Sequence, residues 1–302
     1  MRKTGTVIGA ATVAALALAG CSTVTHPGDG DNGLINVVAA TSVYGDLASV
    51  VGGDLVKVTS IISDPSQDPH SFEGNARVQL ALSKADVVIE NGGGYDAFVD
   101  ALLAGVNNRT TAVLNAVDLS GLDQTPANGE FNEHVWYDFP TVAIVVGQIR
   151  DAYSNLDPVH AATFTSNADA FRNALSGLQD QQAALKAKFG KQGVAITEPV
   201  PLYLLQACGL VNKTPVKFSD AIETGAGVTP NVMDTTFALV STKAVRLVAY
   251  NEQTAGPESD QLLAAATTAG VPVVRFTETL PKDKSYLAWM ADNLSAVKAA
   301  LG

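Results

Sequence analysis

Cysteine and histidine are both scarce: the 302 residues include two cysteines and four histidines. Two cysteines are too few for a four-cysteine zinc site, so that class of metal site is excluded. Cys208 lies in the apolar stretch LYLLQACGL, where we expect a small buried side chain. If Cys21 is modified, as its sequence context indicates, Cys208 has no partner and an intrachain disulfide does not form.

Basic residues are also few. The sequence has 19 Lys and Arg against 30 Asp and Glu, which gives a formal net charge of −11 at pH 7. This balance argues against nucleic acid or an anionic membrane surface as a partner, because both would repel the chain. Signatures of common enzymes are missing as well: the sequence has no HExxH motif, no G-x-S-x-G elbow and no glycine-rich phosphate loop.

The N-terminus has the pattern of an exported lipoprotein. Arg2 and Lys3 are followed by the apolar run Val7–Leu18 and then by Ala19-Gly20-Cys21. This order is typical of a signal peptide, and the run is shorter than the roughly 20 residues of a membrane span. Because the cysteine follows small residues as in a bacterial lipobox, we predict a signal peptide over 1–20 and lipidation of Cys21. An ordinary signal peptide with a chance cysteine is the alternative.

Short β-branched runs alternate with helix-compatible stretches in two parts of the chain. After a polar stretch, 21–33, predicted to be a flexible tether, the pattern covers 34–156 and returns over 191–302. It predicts an α/β fold with two lobes, each a mainly parallel sheet flanked by helices. The predicted strands are 34–41, 56–62, 85–91, 111–117, 194–197, 245–251 and 271–277.

One long backbone helix is predicted to join the two lobes, over residues 157–190. Asp157 is a candidate N-cap, Pro158 suits the first helical position, and Gly190 is a candidate C-cap. Apolar residues between them recur at helical spacing. Such a helix could contact both lobes and resist large hinge motion.

Two histidines and two carboxylates follow predicted strands. His70 lies in DPHSFE and His134 in NEHVWYDFP, while Glu198 and Glu278 directly follow strands of the second lobe. In open parallel sheets ligands bind beyond the carboxyl ends of the strands, so these side chains predict a divalent-metal site between the lobes. The spacing leaves other interpretations open: His70 on a solvated loop, Glu198 at a helix N-terminus, and Glu278 as a cap.

These motifs resemble those of the substrate-binding lipoproteins of bacterial zinc and manganese ABC importers, the ZnuA/TroA-type helical-backbone metal receptors. DPHSFE is similar to the first ligand motif of that family, HVWYD to the second and VAITEPVPLY to the third, and VVRFTETL corresponds to the fourth. The resemblance covers residues 34–302. It implies that His70, His134, Glu198 and Glu278 are the metal ligands.

The resemblance also implies a function. The chain would be a monomeric extracytoplasmic receptor, held at the cell membrane by its lipid, that captures Zn²⁺ or Mn²⁺ and delivers it to an ABC permease and ATPase. The metal is the transported ligand, and no organic cofactor is expected. Glu278 departs from the family, which usually has Asp at this position, and DLSGLDQTPANGEFNE lacks the histidines of many zinc-specific members. The missing histidines and Glu198 favour manganese, although both ions stay open.

An enzyme is not expected, because four protein ligands would leave the metal no open position for a substrate. The HxxE pair of His70 and Glu73 keeps a metallohydrolase as a minor alternative. A surface adhesin with the same fold is the other alternative, and the sequence does not exclude it.

Overall fold

The computed structural model describes Met1 and residues 33–64, 67, 72–106, 111–127 and 131–302. Several predicted features lie outside these residues: the signal peptide beyond Met1, the tether up to residue 32, the proposed lipidation site Cys21 and the predicted ligand His70. They therefore stay predictions.

The N-terminal lobe is built on a four-stranded parallel sheet with the strand order β2-β1-β3-β4. Buried β-branched residues form the central strands, as expected for a sheet covered on both faces. The strands are β1 (Ile35–Thr41), β2 (Val56–Ile62), β3 (Val87–Glu90) and β4 (Ala112–Asn115). The helices are α1 (Ser42–Gly52), α2 (Ala76–Ser83), α3 (Phe98–Ala104), α4 (Ala116–Ser120) and α5 (Phe139–Leu156).

The long connecting helix α6 (Ala161–Phe189) starts three residues after Pro158, the predicted first helical position. The side chain of Asp157 accepts a hydrogen bond from the backbone N–H of His160, so Pro158–His160 forms a 3-10 turn first. With 29 residues, α6 is roughly 44 Å long. It packs against α1 and α5, and also against two helices of the second lobe.

The C-terminal lobe repeats the architecture, with a parallel sheet in the order β6-β5-β7-β8. The strands are β5 (Gly193–Ile196), β6 (Val211–Asn212), β7 (Val248–Asn251) and β8 (Val273–Phe276). The helices are α7 (Leu202–Ala207), α8 (Val216–Glu223), α9 (Pro230–Ser241), α10 (Pro257–Ala269) and α11 (Tyr286–Leu301). Strand β6 was not predicted, because two residues are too short for an alternation pattern. The two-lobe α/β fold itself is confirmed. Among the described residues, no helix combines the length and apolarity needed to cross a membrane.

One continuous apolar core runs through both lobes and along the buried face of α6. Tyrosines at the junction add polar contacts between the lobes. The hydroxyl of Tyr286 donates to the backbone carbonyl of Trp136 at 2.6 Å. The hydroxyl of Tyr137 donates to the backbone carbonyl of Thr277 at 2.8 Å. Because separating the lobes would expose this shared core to water, the architecture opposes a wide hinge motion.

The pKa of Glu90, the last residue of β3, gives the N-terminal lobe a pH-dependent stability that can be measured. Only 3% of the surface of Glu90 is exposed, and burial, followed by the charges of Asp100, Asp96 and Asp118, raises its pKa to about 7. The side-chain amide of Asn115 donates to Oε1 at 2.8 Å and opposes this shift. The folded protein therefore binds a proton here more strongly than the unfolded chain does.

A carboxyl with a raised pKa stabilises the fold below its unfolded pKa, and this contribution is lost as the pH rises through about 7. Glu90→Gln removes this titration and keeps an acceptor for Asn115. We expect the free energy of unfolding of the variant, relative to that of wild type, to increase by roughly 1–3 kcal/mol from pH 5 to pH 8. Urea unfolding of metal-free protein at both pH values measures it. The exposed Glu73→Gln is the control. Parallel pH dependence for Glu90→Gln and wild type would contradict the prediction.

Candidate metal centre

Two buried carboxylates of the C-terminal lobe lie directly beyond the ends of parallel strands. Glu198 follows β5 and Glu278 follows β8, and they are 2% and 1% exposed. The Nδ2 of Asn251, the last residue of β7, donates to Glu198 Oε2 at 2.6 Å and to Glu278 Oε1 at 2.7 Å. Glu198 Oε2 and Glu278 Oε1 therefore lie close together, because both contact the same amide nitrogen.

The contacts of these two glutamates decide between the interpretations that the sequence leaves open. Helix α7 begins four residues after Glu198, and its N-cap is Pro201. The N-cap of α11 is Ser285 rather than Glu278. Neither glutamate caps the helix that follows it. Both side chains instead turn toward the polar group around Asn251.

The N-terminal lobe contributes His134, which is 1% exposed and lies just before a 3-10 turn at Val135–Tyr137. Its Nδ1 lies 2.7 Å from Asn132 Oδ1, which also accepts the backbone N–H of His134 at 3.2 Å. Because this amide oxygen is an acceptor, Nδ1 carries the proton and the lone pair is on Nε2. That is the tautomer in which an imidazole binds a metal ion.

Tyr95 connects this histidine to the carboxylates of the other lobe. Its ring packs edge-on against the ring of His134, with 5.9 Å between centroids, and its hydroxyl donates to Glu278 Oε2 at 3.3 Å. The structure thus brings three of the four predicted ligands into one buried region between the lobes. Their role as ligands stays a prediction, and so does the presence of His70 beside them.

Gln253 ties the segment after β8 to the N-terminal lobe. Its Oε1 accepts the backbone N–H groups of Glu278 and Thr279, and its Nε2 donates to the carbonyl of Gln67 at 3.2 Å. These contacts fix the backbone on which Glu278 is carried.

Two further carboxylates lie at the site that were not among the predicted ligands. One ligand atom from each of Glu133, His134 and Glu223 lies within 4.8 Å of the others. Glu133 precedes the histidine in sequence, whereas Glu223 is the last residue of α8, and the sequence alone leaves open whether it supports the ligands. Asp138, another acidic residue near His134, instead caps α5 by accepting from Thr141 N at 3.1 Å and from Thr141 Oγ1 at 2.7 Å.

The electrostatics of Glu223 show how concentrated the negative charge is. Burial raises its pKa to about 9, and the charges that add to the shift are all carboxylates. In order of effect they belong to Glu133, Glu198, Asp220 and Glu278. Side chains from both lobes therefore act on the same carboxyl group, in a site suited to a cation.

The sequence of this chain matches a family model over residues 37–300, that of the zinc-uptake complex component A, periplasmic, or ZnuA. The chain belongs to this family. The resemblance stated from the motifs is thus confirmed. Since the family consists of uptake components, the expectation that the chain is not an enzyme is confirmed as well.

Individual relatives include proteins named for different metals. The manganese-binding lipoprotein MntA of Bacillus subtilis (strain 168) is 32% identical over 167 residues, 55% of this chain and 54% of that protein. The manganese ABC transporter substrate-binding lipoprotein scaA of Streptococcus gordonii is 28% identical over 208 residues, 65% of this chain and 66% of that protein. The zinc-binding lipoprotein AdcA of Streptococcus pneumoniae is 23% identical over 307 residues, 95% of this chain and 59% of that protein. The chain therefore spans about half to two thirds of the length of these relatives.

Solved structures share the architecture at low sequence identity. A Mn-bound periplasmic metal-binding protein from Candidatus Liberibacter asiaticus has a TM-score of 0.69 at 18% identity, covering 89% of this chain and 100% of that one. FpvC from Pseudomonas aeruginosa, in complex with Ni²⁺, has a TM-score of 0.71 at 21% identity, covering 89% and 97%. These similarities establish the fold.

Asn251 gives a test of how the carboxylates are held. Removing its amide in Asn251→Ala leaves Glu198 and Glu278 without their shared donor, so they are less well positioned for an ion. We expect metal affinity to fall by about 10- to 100-fold, as for other partners that orient metal ligands. Isothermal titration of metal-stripped protein measures the effect.

Thr254→Val is the matched control, because the Thr254 hydroxyl accepts from the same amide at 2.8 Å. It should bind metal nearly as wild type does. An Asn251→Ala protein with unchanged affinity would show that the amide is not needed to position the carboxylates.

Proposed function

We propose that this chain captures a divalent transition metal ion, Mn²⁺ or Zn²⁺, between its two lobes and delivers it to an ABC importer. The observation that carries the proposal is that His134 of one lobe lies in the same buried region as Glu198 and Glu278 of the other. Tyr95 and Asn251 link all three. Family membership and the names of the relatives support the same function.

The donor set has the chemistry that such an ion needs. Imidazole nitrogen and carboxylate oxygen are ligands for both Zn²⁺ and Mn²⁺, and the proposed fourth ligand is His70. A dication also neutralises the carboxylates that act on one another in the metal-free site. Its binding therefore replaces repulsion with attraction.

Delivery is proposed to involve a membrane permease and an ATPase as partners. The relative from Streptococcus gordonii is named as an ABC transporter substrate-binding lipoprotein, which supports this assignment. The shared core argues for a small change between the empty and loaded forms, with the permease binding the loaded receptor as a monomer.

The metal-binding proposal can be tested by titrating metal-stripped protein with Mn²⁺ and Zn²⁺. We expect one ion per chain in wild type. His134→Ala and His70→Ala should each weaken metal binding by more than about 100-fold. This loss is larger than the loss typical of a residue that only orients a metal ligand. His160→Ala is the matched control. His160 is an exposed histidine that follows α5, pairs with Asp157 and does not belong to the proposed ligand set. Failure of wild type to bind either ion, or full binding by His134→Ala, would refute the proposal.

We further propose that Cys21 carries lipid and holds the receptor on the outer side of the cell membrane. The lipobox pattern and the lipoprotein names of the relatives support it. Cys21→Ala should move the protein from the membrane fraction to the soluble extracytoplasmic fraction, and it should abolish labelling by a radioactive fatty acid. Cys208→Ala, at a buried cysteine, is the control. Membrane retention of the Cys21→Ala protein would contradict lipidation.

A further inference from the structure

Glu133 and Glu223 reach the metal centre from segments outside the predicted ligand set. Glu133 lies in the loop that carries His134, and Glu223 ends α8 of the other lobe. Both side chains are half-buried, whereas His134 is almost fully buried. The two carboxylates therefore approach the histidine from different lobes.

Their distances suit a shared ion. One ligand atom from each of Glu133, His134 and Glu223 lies within 4.8 Å of the others. Bonds of roughly 2.0 to 2.3 Å place opposite ligands of one ion about 4.0 to 4.6 Å apart. Side-chain movements of less than an ångström would bring all three atoms into the coordination sphere of one cation.

Glu223 is also close to the ligands of its own lobe. Its carboxyl is acted on by the charges of Glu198 and Glu278 as well as by that of Glu133. Its Oε1 atom is buried and has no hydrogen-bond partner among the residues that the structure describes. A buried oxygen without a donor is unfavourable, and a metal ion would satisfy it.

We propose that Glu133 and Glu223 are additional, specificity-determining ligands that make the site favour Mn²⁺ relative to Zn²⁺. The inference rests on the proposed function and names its substrate. Together with Glu198 and Glu278 they make the site rich in carboxylate oxygen, the donor that suits Mn²⁺. Zn²⁺ is satisfied by four ligands and binds imidazole well, so it gains less from two extra carboxylates.

The test compares the two ions on the same proteins. Dissociation constants for Mn²⁺ and Zn²⁺ are measured by competition with a metal-sensitive dye, using metal-stripped wild type, Glu223→Gln, Glu133→Gln and the double variant. We expect the Mn²⁺ constant to rise by about tenfold or more in each single variant and the Zn²⁺ constant by less than about threefold. X-ray absorption of the Mn²⁺ forms should show fewer oxygen ligands in the variants.

Asp220→Asn is the matched control for charge. Asp220 lies on the same helix and contributes negative charge at Glu223, but it is outside the group of three ligand atoms. Removing its charge should shift both ions by a similar small factor. If this variant reproduced the loss of Mn²⁺ preference, long-range charge rather than coordination would be the cause, and the proposal would be overturned.

The outcomes also separate this inference from the proposed function. Equal loss of both ions in Glu223→Gln and Glu133→Gln, or no loss, overturns the inference while wild-type binding and its dependence on His134 leave the receptor function intact. Failure of wild type to bind either ion removes both. Because Glu133 and Glu223 lie on different elements, a folding defect in one variant leaves the other as a test.

Discussion

Repulsion between buried carboxylates is the constraint on which this structure depends. Glu198 and Glu278 share one amide donor, and their charges act on Glu223 from the same side of the cleft. In a poorly solvated region such like charges destabilise the metal-free protein unless the fold holds them in place. A dication reverses the sign of the interaction, because each carboxylate is attracted to it.

The fold resists this repulsion by anchoring the segments that carry the side chains. Glu198 and Glu278 follow strands of one parallel sheet, and the backbone N–H of Glu278 is held by Gln253. The opposite side of the cleft is fixed by the core that both lobes share with α6. Preorganisation of this kind limits the rearrangement that an arriving ion must drive.

The sequence predicts the parts of this arrangement that follow from local pattern. Alternating strand and helix signals give the two parallel sheets, and the ends of β5 and β8 correctly place Glu198 and Glu278 beside one another. The sequence leaves open whether Glu223 supports the ligands, because the position of a glutamate at the end of a short helix depends on tertiary packing. Asn251 is similar: a strand-terminal asparagine becomes significant only when two carboxylates are seen to share its amide.

The shared core also restricts how an ion can leave. Moving the lobes apart would expose aromatic residues such as Tyr137 and Trp289, whose rings contact each other across the junction with 5.4 Å between centroids. Exposure of that apolar surface is expensive compared with the movement of a few side chains. Small displacements of loops and side chains around the cleft therefore cost less than separation of the lobes. The carboxylates of Glu133 and Glu223 beside His134 are half-buried, whereas those of the glutamates that follow β5 and β8 are almost fully buried, so the former pair can move with less loss of packing.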